Sequence, residues 1–96
     1  MNGLAIAATR ATELLTGRAT ILDLDAHCGG GTHELIGGNE RILHIDLSTS
    51  SFDCYSPSGD NELAVLHGPS DVEYLEHVTG CLGRIPDDTG LVIYNA

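Results

Sequence analysis

Ala19-Thr20-Ile21-Leu22-Asp23-Leu24-Asp25-Ala26-His27-Cys28-Gly29-Gly30-Gly31-Thr32 decides the fold. Ala19 to Leu24 is a largely apolar run closed by acids, the pattern of a parallel strand buried on both faces. Side chains two apart in an extended chain point the same way. Asp23, Asp25 and His27 therefore share one side, and Leu22, Leu24 and Ala26 the other. Polarity appears only at the carboxyl end of this strand, where open parallel sheets place their ligands. The glycines that follow allow a sharp turn and leave room for a bound group.

Outward from this strand, helices and strands alternate. Gly3 to Thr16 reads as a helix with Leu4, Ala8, Ala11 and Leu15 on one face, capped by Asn2 and ended by Gly17. Thr32 to Ile36 reads as a short helix stopped by Gly37-Gly38. Arg41 to Leu47 is a second apolar strand carrying Asp46 near its end. Ser48 to Asn61 is a Ser-, Asp-, Gly- and Pro-rich loop, and Glu62 to Leu66 a weaker strand. Ser70-Asp71-Val72-Glu73 has capping-box spacing. It predicts a helix to about Gly83 with Val72, Leu75, Val78 and Leu82 facing inward. Leu91 to Tyr94 is the last strand. This order predicts one α/β domain over residues 1–96, with a mainly parallel sheet and flanking helices.

The chain carries 14 Asp and Glu against 4 Arg and no Lys, a formal charge of −10. Affinity for nucleic acid rests on neutralising phosphates, so DNA, RNA and anionic membrane surfaces are excluded as expected partners. A basic substrate, bound cations or plain solubility all accord with the charge. Cys28, Cys54 and Cys81 form no CxxC pair, which points away from a disulfide framework or thiolate zinc knuckle and toward a reducing, cytoplasmic setting. No signal peptide or membrane span is evident.

If the two strands are parallel neighbours, Asp46 arrives at the same rim as Asp23 and Asp25. Two such charges a few ångströms apart repel by roughly 3–4 kcal/mol at an effective dielectric near 20. Buried and unpaired, they require protons or a cation. A metal resolves the conflict, and Asp oxygen with His nitrogen suits zinc, making Asp25 and His27 candidate ligands. An acid ending a parallel strand is otherwise common as a cap, and Asp46 can equally start the Ser-rich turn. His33, His44, His67 and His77 read as surface or core residues.

Asp23-Leu24-Asp25-Ala26-His27-Cys28-Gly29-Gly30-Gly31-Thr32 resembles the D-x-D-x-H-x-G-x-G-T motif of the histone deacetylase and acetylpolyamine amidohydrolase superfamily. Asn2-Gly3-Leu4-Ala5, Arg41-Ile42-Leu43-His44-Ile45-Asp46 and Leu91-Val92-Ile93-Tyr94-Asn95-Ala96 resemble its neighbouring segments, so the likeness covers nearly the whole chain. It implies a three-layer, arginase/deacetylase-like fold, here incomplete, and hydrolysis of an acetyl amide such as acetyl-lysine or acetylpolyamine. It places Asp25 and His27 on zinc, and Asp23 on a structural monovalent cation, usually potassium. That cation also takes main-chain carbonyls, here those of Asp25, His27 and Leu47. Asp46 stands where many members have a Ser of the cation site, and Cys28 and Gly30 depart from the commonest residues. The family's proton-transfer His pair, third zinc ligand and oxyanion-stabilising Tyr find no match, so the resemblance implies an incomplete reading frame or truncated product, inactive alone.

Two other readings stand beside it. Ile21 to Leu24 with Gly29-Gly30-Gly31, then Ile45-Asp46-Leu47-Ser48, also resembles the nucleotide-binding part of S-adenosylmethionine methyltransferases. There the glycines come late, and Asp25 and His27 occupy positions usually held by Gly and Cys. The third reading is a non-catalytic remnant.

Overall fold

The computed structural model describes residues 2–96. Its first element is α1 (Gly3–Leu14), begun where the Asn2 carboxamide accepts the Ala5 amide at 3.1 Å. Small residues line its inner face, with Ala5, Ala8, Ala11 and Thr12 buried, so its backbone can lie close to the sheet. The chain then enters β1 (Arg18–Asp23), α2 (Gly30–Ile36), β2 (Ile42–Ser48), β3 (Glu62–Val65), α3 (Asp71–Gly83) and β4 (Thr89–Asn95).

The four strands form one wholly parallel sheet in the order β3-β2-β1-β4. All seven residues of β2 are buried, as the unbroken apolar run predicts for an inner strand. The strand order runs one way from β1 to β3 and the other way from β1 to β4. The reversal is a topological switch point at the carboxyl ends of β1 and β4, the position where open α/β sheets open a crevice.

Alternation along the strands divides the core into two layers. Ala19, Ile21 and Ile42 face α1 and α2, joined by Ala5, Ala8, Ala11 and Ile36. Leu22, Leu43, Ile45 and Leu47 face the other way, onto Tyr74, Val78 and Cys81 of α3. Helices thus flank both faces of the sheet, leaving the edge strand β4 largely exposed. Asp23, His44 and Asp46 belong by the same alternation to the α1–α2 side, and Asp23 is the register partner of Asp46.

The inward face of α3 differs from the expected one. Val72, Leu75 and Leu82 are more than half exposed, while Tyr74, Val78 and Cys81 pack on the sheet. Both stripes have helical spacing, so periodicity alone does not choose between them. The Ser70 cap is formed as expected, with the Glu73 amide donating to Ser70 Oγ at 3.2 Å, but the Glu73 carboxylate accepts the Ser70 hydroxyl, at 3.1 Å, in place of the Ser70 amide that a full capping box requires. Among the described residues, no helix is long and apolar enough to cross a membrane.

Candidate metal centre

The β1 ladder ends with the Leu24 amide bonded to the Asn95 carbonyl at 2.7 Å. From there side chains, not strand partners, take the amides. Asp23 Oδ1 accepts the Asp25 amide at 3.2 Å, and Asp25 Oδ1 accepts the His27 amide at 2.9 Å. These successive Asx turns stop the strand at Asp23, so strict alternation does not continue to residue 27. Asp25 and His27 nonetheless stay together. Asp25 Oδ1 lies 3.4 Å from His27 Nδ1, and both side chains reach solvent.

That spacing lets both donors reach a single metal ion. Two donors each about 2.0–2.1 Å from a tetrahedral zinc stand roughly 3.3 Å apart. The pair opens onto a cavity of about 260 Å³ at the switch point, lined also by Asp23, Asn95, Asn2 and Thr32. The donor chemistry, the separation and the open side all suit a cation with room for a further ligand.

Asp23 turns inward beneath this pair. It is 2% exposed, and its Oδ1 also accepts Asn95 Nδ2 at 2.9 Å. Its Oδ2 lies 3.4 Å from His44 Nε2, whose ring is fully buried. Burial pushes the Asp23 carboxyl upward, but hydrogen bonds from His44, Asn95 and the Asp25 amide, with the charge of His44, outweigh it and hold the group below its usual range.

Asp46, also buried, completes the group. Its Oδ2 accepts the Gly29 amide at 2.7 Å and the Tyr55 hydroxyl at 3.0 Å, and its Oδ1 the Ser48 hydroxyl at 2.8 Å. One donor atom from each of Asp23, His44 and Asp46 lies within 4.8 Å of the others, a spacing that can hold a metal ion. No arginine answers these carboxylates. Arg10 pairs with Glu13, Arg18 with Asp88, Arg84 with Glu62, and Arg41 binds carbonyls of the α1 terminus. Leu47 follows Asp46 in β2 with its side chain in the α3-side core, on the face of the sheet away from the acids.

Aromatic rings roof the buried group. Tyr55 stacks on His33 with centroids 4.4 Å apart and lies nearly parallel to His44 at 6.0 Å. Burial, then the charge and hydrogen bond of Asp46, push the Tyr55 phenol far up, so it stays a donor. Burial, then His44, hold His33 below its usual value. Cys28 is buried with its thiol pushed up to about 11 by burial and by the adjacent Cys54 thiol.

The structure therefore brings together Asp25 with His27, and Asp23 with Asp46, as two adjoining groups. His44, expected as a surface or core residue, is indeed buried but also joins this group, as does Tyr55. For His44 a signal exists: it lies two residues before Asp46 on the same strand, hence on the same face. Tyr55 arrives from a long loop and has none. Set against known proteins, the chain matches no family model, and neither the curated proteins nor the solved structures contain a match to it.

Proposed function

We propose that this chain is the metal-binding core of a zinc-dependent hydrolase of acetylated amines, such as acetyl-lysine or acetylpolyamine. The observation that carries the proposal is the Asp25–His27 pair, with donors 3.4 Å apart at the carboxyl end of β1 and open to a cavity. The deacetylase-like motif spanning Asp23 to Thr32 supports the reaction class, and the parallel sheet with helices on both faces accords with the fold that motif implies.

In this reading Asp25 and His27 hold zinc, and the Asx turn from Asp23 orients Asp25. Bound zinc would polarise an amide carbonyl and lower the pKa of its water. Asp23 and Asp46, with the main-chain carbonyls of Asp25, His27 and Leu47, hold a second, monovalent cation beneath the loop, and His44 positions Asp23. This buried group stiffens the turn and leaves the outer pair free for substrate. The residues to which the resemblance assigns proton transfer are not in this chain, so it binds metal without turning over substrate by itself.

The methyltransferase reading draws on one observation, the glycine segment between β1 and α2 in a sheet ordered β3-β2-β1-β4. Against it, Asp46 is 1% exposed and lies beneath Tyr55, so its carboxylate is not presented to a ribose.

Zinc titration of the chelator-stripped protein by calorimetry tests the proposal. The wild type should take up one zinc. Asp25→Ala and His27→Ala should each weaken binding by more than roughly 100-fold while retaining the fold. Equal zinc affinity in all three proteins, or saturable binding of S-adenosylmethionine in place of zinc, would overturn it.

A further inference from the structure

Beside the metal centre lie two cysteines 26 residues apart in sequence. Cys28 Sγ and Cys54 Sγ lie 2.9 Å apart, within about 1 Å of the ~2.05 Å covalent S–S bond. The backbone around them is already clasped. The Cys28 amide donates to the Phe52 carbonyl at 3.0 Å, and the Thr49 and Ser50 amides donate to the Ala26 carbonyl at 3.0 and 2.9 Å. Asp53 Oδ2 accepts the Gly31 amide at 2.9 Å, and the chain turns at Asp53, with φ of 60°, directly before Cys54. Cys54 is exposed and Cys28 buried, so an oxidant in solvent meets Cys54 first. Cys81 is buried on the opposite face of the sheet, against the α3-side core.

We propose that Cys28 and Cys54 are a peroxide-sensitive thiol pair that closes to a reversible disulfide, pinning the 49–54 loop onto the 24–29 loop. In the first step the Cys54 sulfur attacks a hydroperoxide. An S–O bond forms, the O–O bond breaks, and the products are a Cys54 sulfenic acid and an alcohol, or water from hydrogen peroxide. In the second step the Cys28 sulfur attacks the sulfenic sulfur. The S–S bond forms and water leaves, carrying the hydroxyl and the Cys28 proton. Two electrons pass from the two thiols to the peroxide. A disulfide of this kind suits reversible sensing, because a thiol reductant restores both cysteines. Its effect on zinc at Asp25 and His27 rests on the function proposed above; formation of the bond does not.

The test is a thiol map in chelator-containing buffer, which keeps it independent of zinc. Reduced native protein is treated with hydrogen peroxide, alkylated, digested without reductant and analysed by mass spectrometry. The expected product is a Cys28–Cys54 linked peptide with Cys81 alkylated as a free thiol. Dithiothreitol should return all three thiols, and urea-denatured protein should lose the selectivity. Cys81→Ser should keep the link and melt at higher temperature oxidised than reduced. Cys54→Ser should show neither the link nor the shift. Native wild-type protein that gives Cys81-containing links, links between molecules, or a sulfinic Cys54 beside a free Cys28 thiol would overturn the proposal.

Discussion

At Gly29 the site leaves no room for a side chain. A Cβ there would lie 2.8 Å from Asp23 Oδ2 and 2.9 Å from His44 Cε1. Neither neighbour can give way easily. Asp23 is held by Asn95 and the Asp25 amide, and the His44 ring is fully buried. The backbone at Gly29 has φ of −87°, which any residue adopts, so the constraint is packing and not conformation. Gly29→Ala should therefore destabilise by about 1–3 kcal/mol. Gly31→Ala, whose Cβ would meet nothing closer than 3.9 Å, should change stability by less than about 0.5 kcal/mol. Urea denaturation of the two variants beside the wild type checks both. Equal loss in the two would mean that Asp23 and His44 do not sit against the glycine loop.

At the scale of elements, α1 depends on a residue outside itself. Its last turn contains no basic residue. Its terminal carbonyls are served by Arg41, from just before β2, whose guanidinium donates to Thr12 at 2.6 Å, Leu15 at 2.8 Å and Gly17 at 2.7 Å. The bonds to Thr12 and Leu15 satisfy carbonyls at the helix end and oppose the negative end of its dipole, and the bond to Gly17 fixes the turn into β1. The site is partly open to solvent, which reduces its worth. Arg41→Ala should cost about 1–2 kcal/mol, and Arg41→Lys should recover only part of it, because an ammonium lacks the planar fork. Thermal melting of the pair decides. A lysine variant as stable as wild type would mean that charge alone, without the fork geometry, supports the helix end. α3 shows the opposite dependence: its start follows from its own Ser70 cap, but its inner face is chosen by the sheet beneath it.

Over the whole molecule, the α3-side core carries two acids that the folded state keeps protonated. Burial pushes Cys81 and Tyr74 above their ordinary values of 9.0 and 10.0. For an acid whose folded pKa is raised, the contribution is complete below the ordinary value. It is lost as pH climbs through the folded one, because only the unfolded chain has released the proton. Global stability should thus hold to about pH 9 and fall above it. Cys81→Ala should lower stability at neutral pH while flattening part of the alkaline fall. Urea midpoints measured between roughly pH 7 and pH 10.5 check the sign. A midpoint that rises with alkalinity would contradict it.

The linear order of residues sufficed for the helix–strand alternation, the parallel sheet, the Asn2 and Ser70 caps, and the cluster of acids with His27 at the end of β1. Each is written locally, in apolar runs, capping spacings and a motif, and needs no distant partner to be read. Asp23 beside Asp46 followed once the two strands were taken as parallel neighbours. Folding alone decided the rest. It stopped β1 at Asp23, because carboxylates captured the next amides. It set His44 against Asp23, brought Tyr55 onto Asp46, turned Tyr74 and Cys81 inward in place of Leu75 and Leu82, and carried Cys54 to Cys28. These contacts join residues far apart in the chain, and their partners are selected by strand register and loop closure, quantities that no local pattern of residue types encodes.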